Sequence, residues 1–336
     1  MNIAHFVNFF NGGGSTKTCL EHAAYMTEHN HVFIGSENGV SKSVFKTLGP
    51  TYTVSRDSNF NYSQLLTESI LEKHNIDLIH FYLPGHENPS FLNRFNQKKL
   101  GTVLCGQEIG FDNSLFDHVR FISEYQTEIN KETLKSFDSY SVVRCGLGPD
   151  KARFRNPGTP SKVCFGRISA FCRSKKIMET VRCAKELPEN QFIIAGHILD
   201  RHYFEEIIEF IKENELKNVD LAYNISEQEK EAVYQAIDVL HYPTENEAFC
   251  YSIVEGMQRL KPVITYDNSA LPELNISGSI DMVKDGDFDA LLEKTKNYAK
   301  DPARIPESAI MNRNVYDENF TSKIYTDNMR ELYGRL

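Results

Sequence analysis

The 336 residues are too many for one compact core and imply two domains of ordinary size, each burying its own apolar interior. With 40% hydrophobic and 25% charged residues the chain reads as globular, neither disordered nor fibrous, and its formal charge of −9 sets aside a general nucleic-acid binder, which needs a basic face. Seven cysteines without a C-x-x-C pair set aside a disulfide framework and a structural zinc site and point to a reducing, cytoplasmic setting.

The opening "MNIAHFVNFFNGGG" lacks the basic flank and small-residue cleavage site of a signal peptide and reads as a strand around Ile3 and Phe6. No window is apolar for the length a membrane span requires, which leaves only peripheral membrane contact open. Further strands are predicted at 31–36, 76–82 and 101–106, with helical segments at 15–29 and 61–74 between them. This alternation predicts a doubly wound parallel sheet over residues 1–150. The basic runs at Lys98-Lys99 and from Lys151 to Arg155 read as solvated surface.

The stretch "LGPDKARFRNPGTPSK" (147–162) is rich in Pro, Gly and charge and has no hydrophobic period, so 151–160 is expected to be a linker. The alternation then restarts, from "SKVCFGRIS" through "QFIIAGH", "VDLAYN", "DVLHYPT", "KPVITYD" and "SIDMV", and predicts a second doubly wound domain over 161–314. Two such domains in tandem place a cleft between the carboxyl ends of their sheets, where ligands of open α/β folds bind. After a loose stretch containing Pro302 and Pro306, an amphipathic segment ends the chain. Residues 315–336 either return to the first domain or cap the second; periodicity leaves both open.

Several motifs have both a chemical and a plain reading. "NGGGSTKT" (11–18) follows a strand and opens a helix, where free N–H groups favour an anion, although its spacing is not that of a P-loop. "DGDFD" (285–289) has an Asp-x-Asp spacing suited to a metal, yet Asp287 stands where a helix N-cap belongs. His80 and His197 end predicted strands, as packed or cleft-facing residues. Arg167 follows a predicted strand and Lys175 and Lys176 begin the next helix, and a fork plus a flexible ammonium suit a diphosphate.

"ENEAFCYSIVE" (245–255) sets Glu247 and Glu255 eight steps apart. Were all of it helical, ~100° and ~1.5 Å per step would put them about 12 Å apart on different faces, so both serve one ligand only if Glu247 precedes the helix. Pro243 and the polar run after it support a loop there. Ser252 and Glu255 also fit a capping box, which is compatible with an anion site at the same helix start.

The order of segments from "FGRIS…SKK" through "FIIAGHILD" and "VDLAYNISEQEKEAVYQAIDVLHYPTENEAFCYSIVEGMQRLKPVITYDNSALPEL" to "ELYGRL" resembles the donor-binding domain of the retaining family-4 glycosyltransferases, which have a GT-B fold. The likeness covers most of 162–336. The first half resembles the family more loosely, through "NGGGSTKTCLEHA", "IDLIHFY", "FISEYQ" and "VVRCGLGPDKARF". The resemblance implies two Rossmann-like doubly wound domains facing across a cleft. It implies that Arg167 and Lys175 or Lys176 hold the donor diphosphate, that the backbone of Tyr223, Asn224 and Ile225 meets the nucleobase, and that Glu255 bonds the ribose. Glu247 and the segment Ala248, Phe249, Cys250, Tyr251 and Ser252 would line the sugar and phosphate, with Gly13, Gly14, Gly166 and Gly196 also on the donor side.

Three departures from the family pattern stand out. The Arg-to-Lys spacing is longer than usual, a usual Gly-Phe-Gly reads Ala248-Phe249-Cys250, and a histidine often found at the end of the fourth strand gives way to Cys105, Gly106 and Gln107. The expected activity is retaining transfer of a sugar from a nucleotide-diphosphate sugar, UDP favoured and GDP possible, to a hydroxyl acceptor, with no cofactor and no metal required. Glycans and lipid-linked saccharides are the expected acceptors, and modified DNA bases less so, with Ser15, Tyr82, His86, Gln107 and Glu108 as acceptor-side candidates. The competing readings are a sugar-nucleotide epimerase or hydrolase of the same fold and a non-catalytic nucleotide-sugar binding protein.

Overall fold

A computed structural model describes residues 1–7, 10, 13–36, 39, 41–57, 61–83, 89–110, 113–149 and 158–336. In chain order the first elements are β1 (Asn2–Val7), α1 (Gly14–Tyr25), β2 (Asn30–Gly35), α2 (Lys42–Leu48), β3 (Thr51–Thr53), α3 (Gln64–Lys73), β4 (Leu78–Leu83) and β5 (Lys98–Val103). They continue with β6 (His118–Phe121), α4 (Glu124–Ile129), α5 (Lys131–Leu134) and β7 (Tyr140–Val142). The next are β8 (Cys164–Ile168), α6 (Ile177–Glu186), β9 (Gln191–Gly196), α7 (Arg201–Glu213), β10 (Val219–Tyr223), α8 (Glu227–Ala236) and β11 (Val239–His241). Last come α9 (Tyr251–Gln258), β12 (Val263–Asp267), β13 (Asp281–Lys284), α10 (Phe288–Lys300), α11 (Ile305–Asn319) and α12 (Ser322–Arg335).

Two compact units result, Met1–Gly148 with Thr321–Leu336, and Pro149–Phe320. The first holds a seven-stranded parallel sheet in the order β3-β2-β1-β4-β5-β6-β7, the second a six-stranded parallel sheet in the order β10-β9-β8-β11-β12-β13. Both are doubly wound α/β sheets. Central strands such as "LIHFYL" are buried along their whole length, as strands covered on both faces by helices must be.

The structure adds strands that the apolar pattern does not announce. β3 and β7 span three residues each, too short to show a period of two, and β6 carries a histidine and an arginine. The strand expected at 101–106 runs instead over Lys98–Val103, because pairing with Leu78–Leu83 decides its register and Lys98 finds Asp117 at 3.3 Å. Pro302 and Pro306 do not mark an irregular stretch: each opens a helical turn, where a missing N–H costs nothing, and Pro306 begins the four-turn α11.

Helix α12 packs on the first unit, with Tyr325, Met329, Leu332 and Tyr333 against Ile3, Met26, Leu78, Leu100 and Val143. Under it lies a buried network of histidines and tyrosines. His31 Nε2 faces the Met26 carbonyl at 2.9 Å and must donate to it, which leaves Nδ1 to accept from His5 Nε2 at 2.8 Å. His5 Nδ1 then accepts from the Tyr82 hydroxyl at 3.2 Å. His80 reaches Thr102 at 2.7 Å, and His22 lies between the Tyr325 and Tyr333 hydroxyls at 2.7 and 2.8 Å. Burial above all holds His5, His22 and His80 well below the ordinary histidine range, as neutral rings.

Candidate functional site

The carboxyl ends of β8, β9 and β11 bring the predicted donor-side residues of the second unit together. Arg167 lies fully buried near the end of β8, its guanidinium Cζ 4.5 Å from the Tyr242 ring centroid. Its Nε donates to Ser169 Oγ at 2.9 Å and its two terminal nitrogens to the carbonyls of Pro243, at 2.6 Å, and Lys175. Arg167 therefore ties the loop after β8 to the loop after β11. The expectation of an arginine free to fork onto a ligand is corrected in this respect: three of its five N–H directions are spent on the protein itself. Burial lowers its pKa, while the nearby Glu247 and phenols act the other way.

The two lysines separate. Lys175 Nζ lies 2.5 Å from Glu247 Oε1, which also accepts from Thr244 Oγ1 at 2.9 Å. Burial disfavours the Lys175 ammonium, but the Glu247 carboxylate outweighs it and the pKa is raised. Lys176 adopts a left-handed backbone (φ 44) and turns away to Asp285 at 2.8 Å and Glu245 at 3.5 Å. Asp285 also accepts from Asn268 at 3.0 Å; burial raises its pKa, but those two bonds prevail and lower it. Asp287 caps α10, accepting from Ala290 N at 3.0 Å, so both carboxylates of the Asp-x-Asp pair have partners within the protein.

Glu247 precedes α9, as a shared ligand requires, and is held on every side. Its amide donates to Ser269 Oγ at 2.9 Å and its carbonyl accepts from Ala270 N at 3.2 Å. The chain bends into left-handed backbone on both sides, at Asn246 (φ 53) and Cys250 (φ 70). At Cys250, where a glycine would sit without cost, the backbone carries strain on the order of 1 kcal/mol. Ala248, Phe249 and Cys250 are buried, Phe249 packs on Tyr251 and Phe320, and burial pushes the Cys250 thiol pKa up.

The capping-box reading of Ser252 and Glu255 is overturned. Cys250 is the N-cap, Ser252 Oγ donates to the Ile168 carbonyl at 2.9 Å, and Glu255 is buried against α8. Its Oε2 accepts from Tyr234 Oη at 2.9 Å and its Oε1 from Lys230 Nζ at 3.3 Å. A true capping box forms one helix earlier, between Ser226 and Glu229. Lys230, Tyr234 and Ser269 escaped sequence reasoning; the α8 pair shows only as an i, i+4 spacing.

The glycines divide as well. A Cβ on Gly196 (φ 153) would lie 1.9 Å from the Ser169 carbonyl, so the ends of β8 and β9 approach closely only because of it. Gly166 packs closely within the protein: a Cβ there would meet the Ile237 side chain at 2.1 Å. Asn224 (φ 56) donates its N–H to the Gly196 carbonyl at 2.7 Å, turning the chain after β10. Beside it Tyr223 is exposed, edge-on to Phe204, and Ile225 is half-buried. His197 is exposed at the end of β9.

In the first unit Gly13, Gly14 and Ser15 are exposed at the start of α1, and Gln107 and Glu108 are exposed after β5. Tyr82 is a correction: it is 1% exposed inside the histidine network and has no surface to offer an acceptor. His86, Gly12 and the run Lys151 to Arg155 lie outside the described residues. His5, His22 and His80 place ligand atoms within 4.8 Å of one another. Their donor set does not suit a cation, because all six ring nitrogens have hydrogen-bonding neighbours and the buried Arg120 guanidinium already acts on His22 and His80. Among the described residues no helix is long and apolar enough to cross a membrane.

Two parallel-sheet Rossmann-like units with these loops at their strand ends define the GT-B class of glycosyltransferases. The sequence pattern of the family "Glycosyl transferases group 1" matches residues 148–317, half of the chain, and the protein belongs to that family. No curated protein matches it by sequence. Among solved structures it is similar to a glycosyltransferase from Rickettsia africae, with 18% identity, TM-score 0.77 and coverage of 99% of this chain and 98% of that one. Sucrose-phosphate synthase from Thermosynechococcus elongatus is similar at 16% identity and TM-score 0.78, over 99% and 98% of the two chains. HepE of Anabaena, solved with UDP-glucose, is similar at 14% identity and TM-score 0.79 over the whole of both. At such identities the likeness speaks for the fold.

Proposed function

We propose that this glycosyltransferase is retaining, of the family-4 type, and moves a sugar from a nucleotide-diphosphate sugar to a hydroxyl of a glycan or lipid-linked saccharide. The observation that carries the reading is the constellation of buried Arg167 and Glu247 with half-buried Lys175 beside the N-terminus of α9. An ammonium, a buried guanidinium and a helix N-terminus converge where a diphosphate leaving group gains charge, an electrostatic stabilisation that needs no dedicated base. The departing phosphate oxygen takes the proton of the attacking hydroxyl on the same face of the sugar. In this scheme Lys175 rather than Lys176 meets the diphosphate, Glu247 addresses the sugar and Glu255 the ribose, and no metal or cofactor takes part. A uridine nucleotide is the favoured donor, in keeping with HepE of Anabaena, which was solved with UDP-glucose.

Incubating the protein with a panel of UDP- and GDP-sugars and saccharide acceptors, followed by mass spectrometry and determination of the anomeric configuration, tests this. Transfer with the donor's anomeric configuration is expected. Inverted product removes the retaining mechanism, and release of free sugar at the same rate with or without acceptors favours a hydrolase.

A further inference from the structure

Glu255 lies inside α9 and is 5% exposed, so its carboxylate depends on protein partners. Two of them come from α8, one turn apart on one face: Tyr234 to Oε2 at 2.9 Å and Lys230 to Oε1 at 3.3 Å. The two bonds differ in kind. Tyr234 is fully buried, its ring lies 4.8 Å from the Arg259 guanidinium, and Arg259 is itself held by Glu231 at 2.8 Å. Its hydroxyl has the Ser252 carbonyl, at 3.1 Å, as a second acceptor on the same helix. Lys230 is a flexible ammonium shared with the exposed Glu227, at 2.7 Å.

We propose that Tyr234 is a positioning residue for nucleotide recognition: it anchors Oε2 of Glu255 so that Oε1 faces the ribose hydroxyls, which displace Lys230 toward Glu227. The inference rests on the reading of Glu255 as the ribose ligand. Burial first, and the Glu255 carboxylate next, raise the phenol pKa well above its ordinary value, so the hydroxyl remains a donor at any working pH. Without that hydroxyl the buried carboxylate loses its bond to the rigid ring of Tyr234, and the pull of the Lys230 ammonium gains weight.

Calorimetry with UDP and 2′-deoxy-UDP, or with GDP and 2′-deoxy-GDP if guanine binds tighter, reads this directly. The measured quantity is the ratio of deoxy to ribo dissociation constants. Glu255→Ala is expected to bring the ratio close to one. Tyr234→Phe is expected to lower it by about three- to tenfold, the worth of one hydrogen bond, with the deoxy nucleotide, which keeps its 3′-hydroxyl, weakened less than the ribo nucleotide. In the Glu255→Ala background the same substitution should do nothing to the ratio. Lys230→Met, which keeps the Tyr234 bond, is expected to raise the ratio because ribose no longer competes with an ammonium.

If neither nucleotide binds, or the ratio survives Glu255→Ala, the ribose reading fails and the inference with it. If Glu255→Ala abolishes the ratio but Tyr234→Phe keeps it, or weakens both nucleotides alike, the role of Tyr234 alone is overturned. A ratio lowered by Lys230→Met also overturns it, and that variant decides the matter should Tyr234→Phe fail to fold.

Discussion

Lys175 Nζ and Glu247 Oε1 meet at 2.5 Å, an ion pair between the start of α6 and the loop before α9, with Thr244 donating to the same oxygen. The pair holds a cation and a carboxylate side by side, which in the proposed function face the diphosphate and the sugar of the donor respectively.

If the two residues divide phosphate and sugar between them, their variants should differ. Glu247→Ala is expected to slow transfer by at least about a hundredfold and leave UDP affinity within about threefold. Lys175→Gln is expected to lower both, since it removes charge from the leaving-group side and leaves Glu247 buried without its cation. Initial rates and calorimetry on both variants check this, and wild-type transfer by Glu247→Ala would sink the assignment.

The proposed metal-free transfer makes a prediction about the two aspartates. Asp285 is engaged by Lys176 and Asn268, and Asp287 caps α10. Transfer is expected to persist in excess chelator, and Asp285→Asn to retain most activity. Loss in chelator that manganese or magnesium restores, together with loss in Asp285→Asn, would reinstate the Asp-x-Asp motif as a metal site.

Arg167 is predicted to matter for stability as well as rate. A lysine in its place reaches at most one of the two carbonyls that the guanidinium spans, and leaves the other short of a buried donor. Arg167→Lys is expected to cost about 1–3 kcal/mol of stability and to lower turnover with donor saturating. Melting curves beside saturated rates test this; a variant unchanged in both would remove Arg167 from site and scaffold.

The histidine network predicts acid sensitivity. His5, His22 and His80 are held neutral when folded, chiefly by burial, whereas an unfolded chain titrates near 6.5. Above that value both states are neutral and nothing is lost; as the pH falls below it the unfolded chain binds protons that the folded one refuses. These rings are therefore expected to cost the folded form roughly 1 kcal/mol each between pH 6.5 and 5.5, and His241 of the second unit, lowered by burial to about 3, adds as much, so the loss is about 4 kcal/mol, well above the carboxylate range. Chemical denaturation across that interval measures it. A flat profile would mean that the rings accept protons in place.

The amino-acid sequence by itself determined the class of fold, because strands covered on both faces must be continuously apolar and the helices between them amphipathic, and "LIHFYL" or "QFIIAG" show this without neighbours. It also determined that Glu247 must precede a helix for both glutamates to serve one ligand, an argument from helical geometry alone. Only the tertiary structure decided that Glu255 is no cap, that Lys175 and not Lys176 meets Glu247, and that Arg167 spends its donors on Pro243 and Lys175. Those outcomes depend on contacts between loops and helices tens of residues apart, where a local pattern such as S-x-x-E carries no information about which side chain arrives from elsewhere. The same holds for Tyr82: its place at a strand end was legible, but its burial came from Cys19 and Ala23 of α1, Phe33 of β2 and Phe45 of α2, tens of residues away.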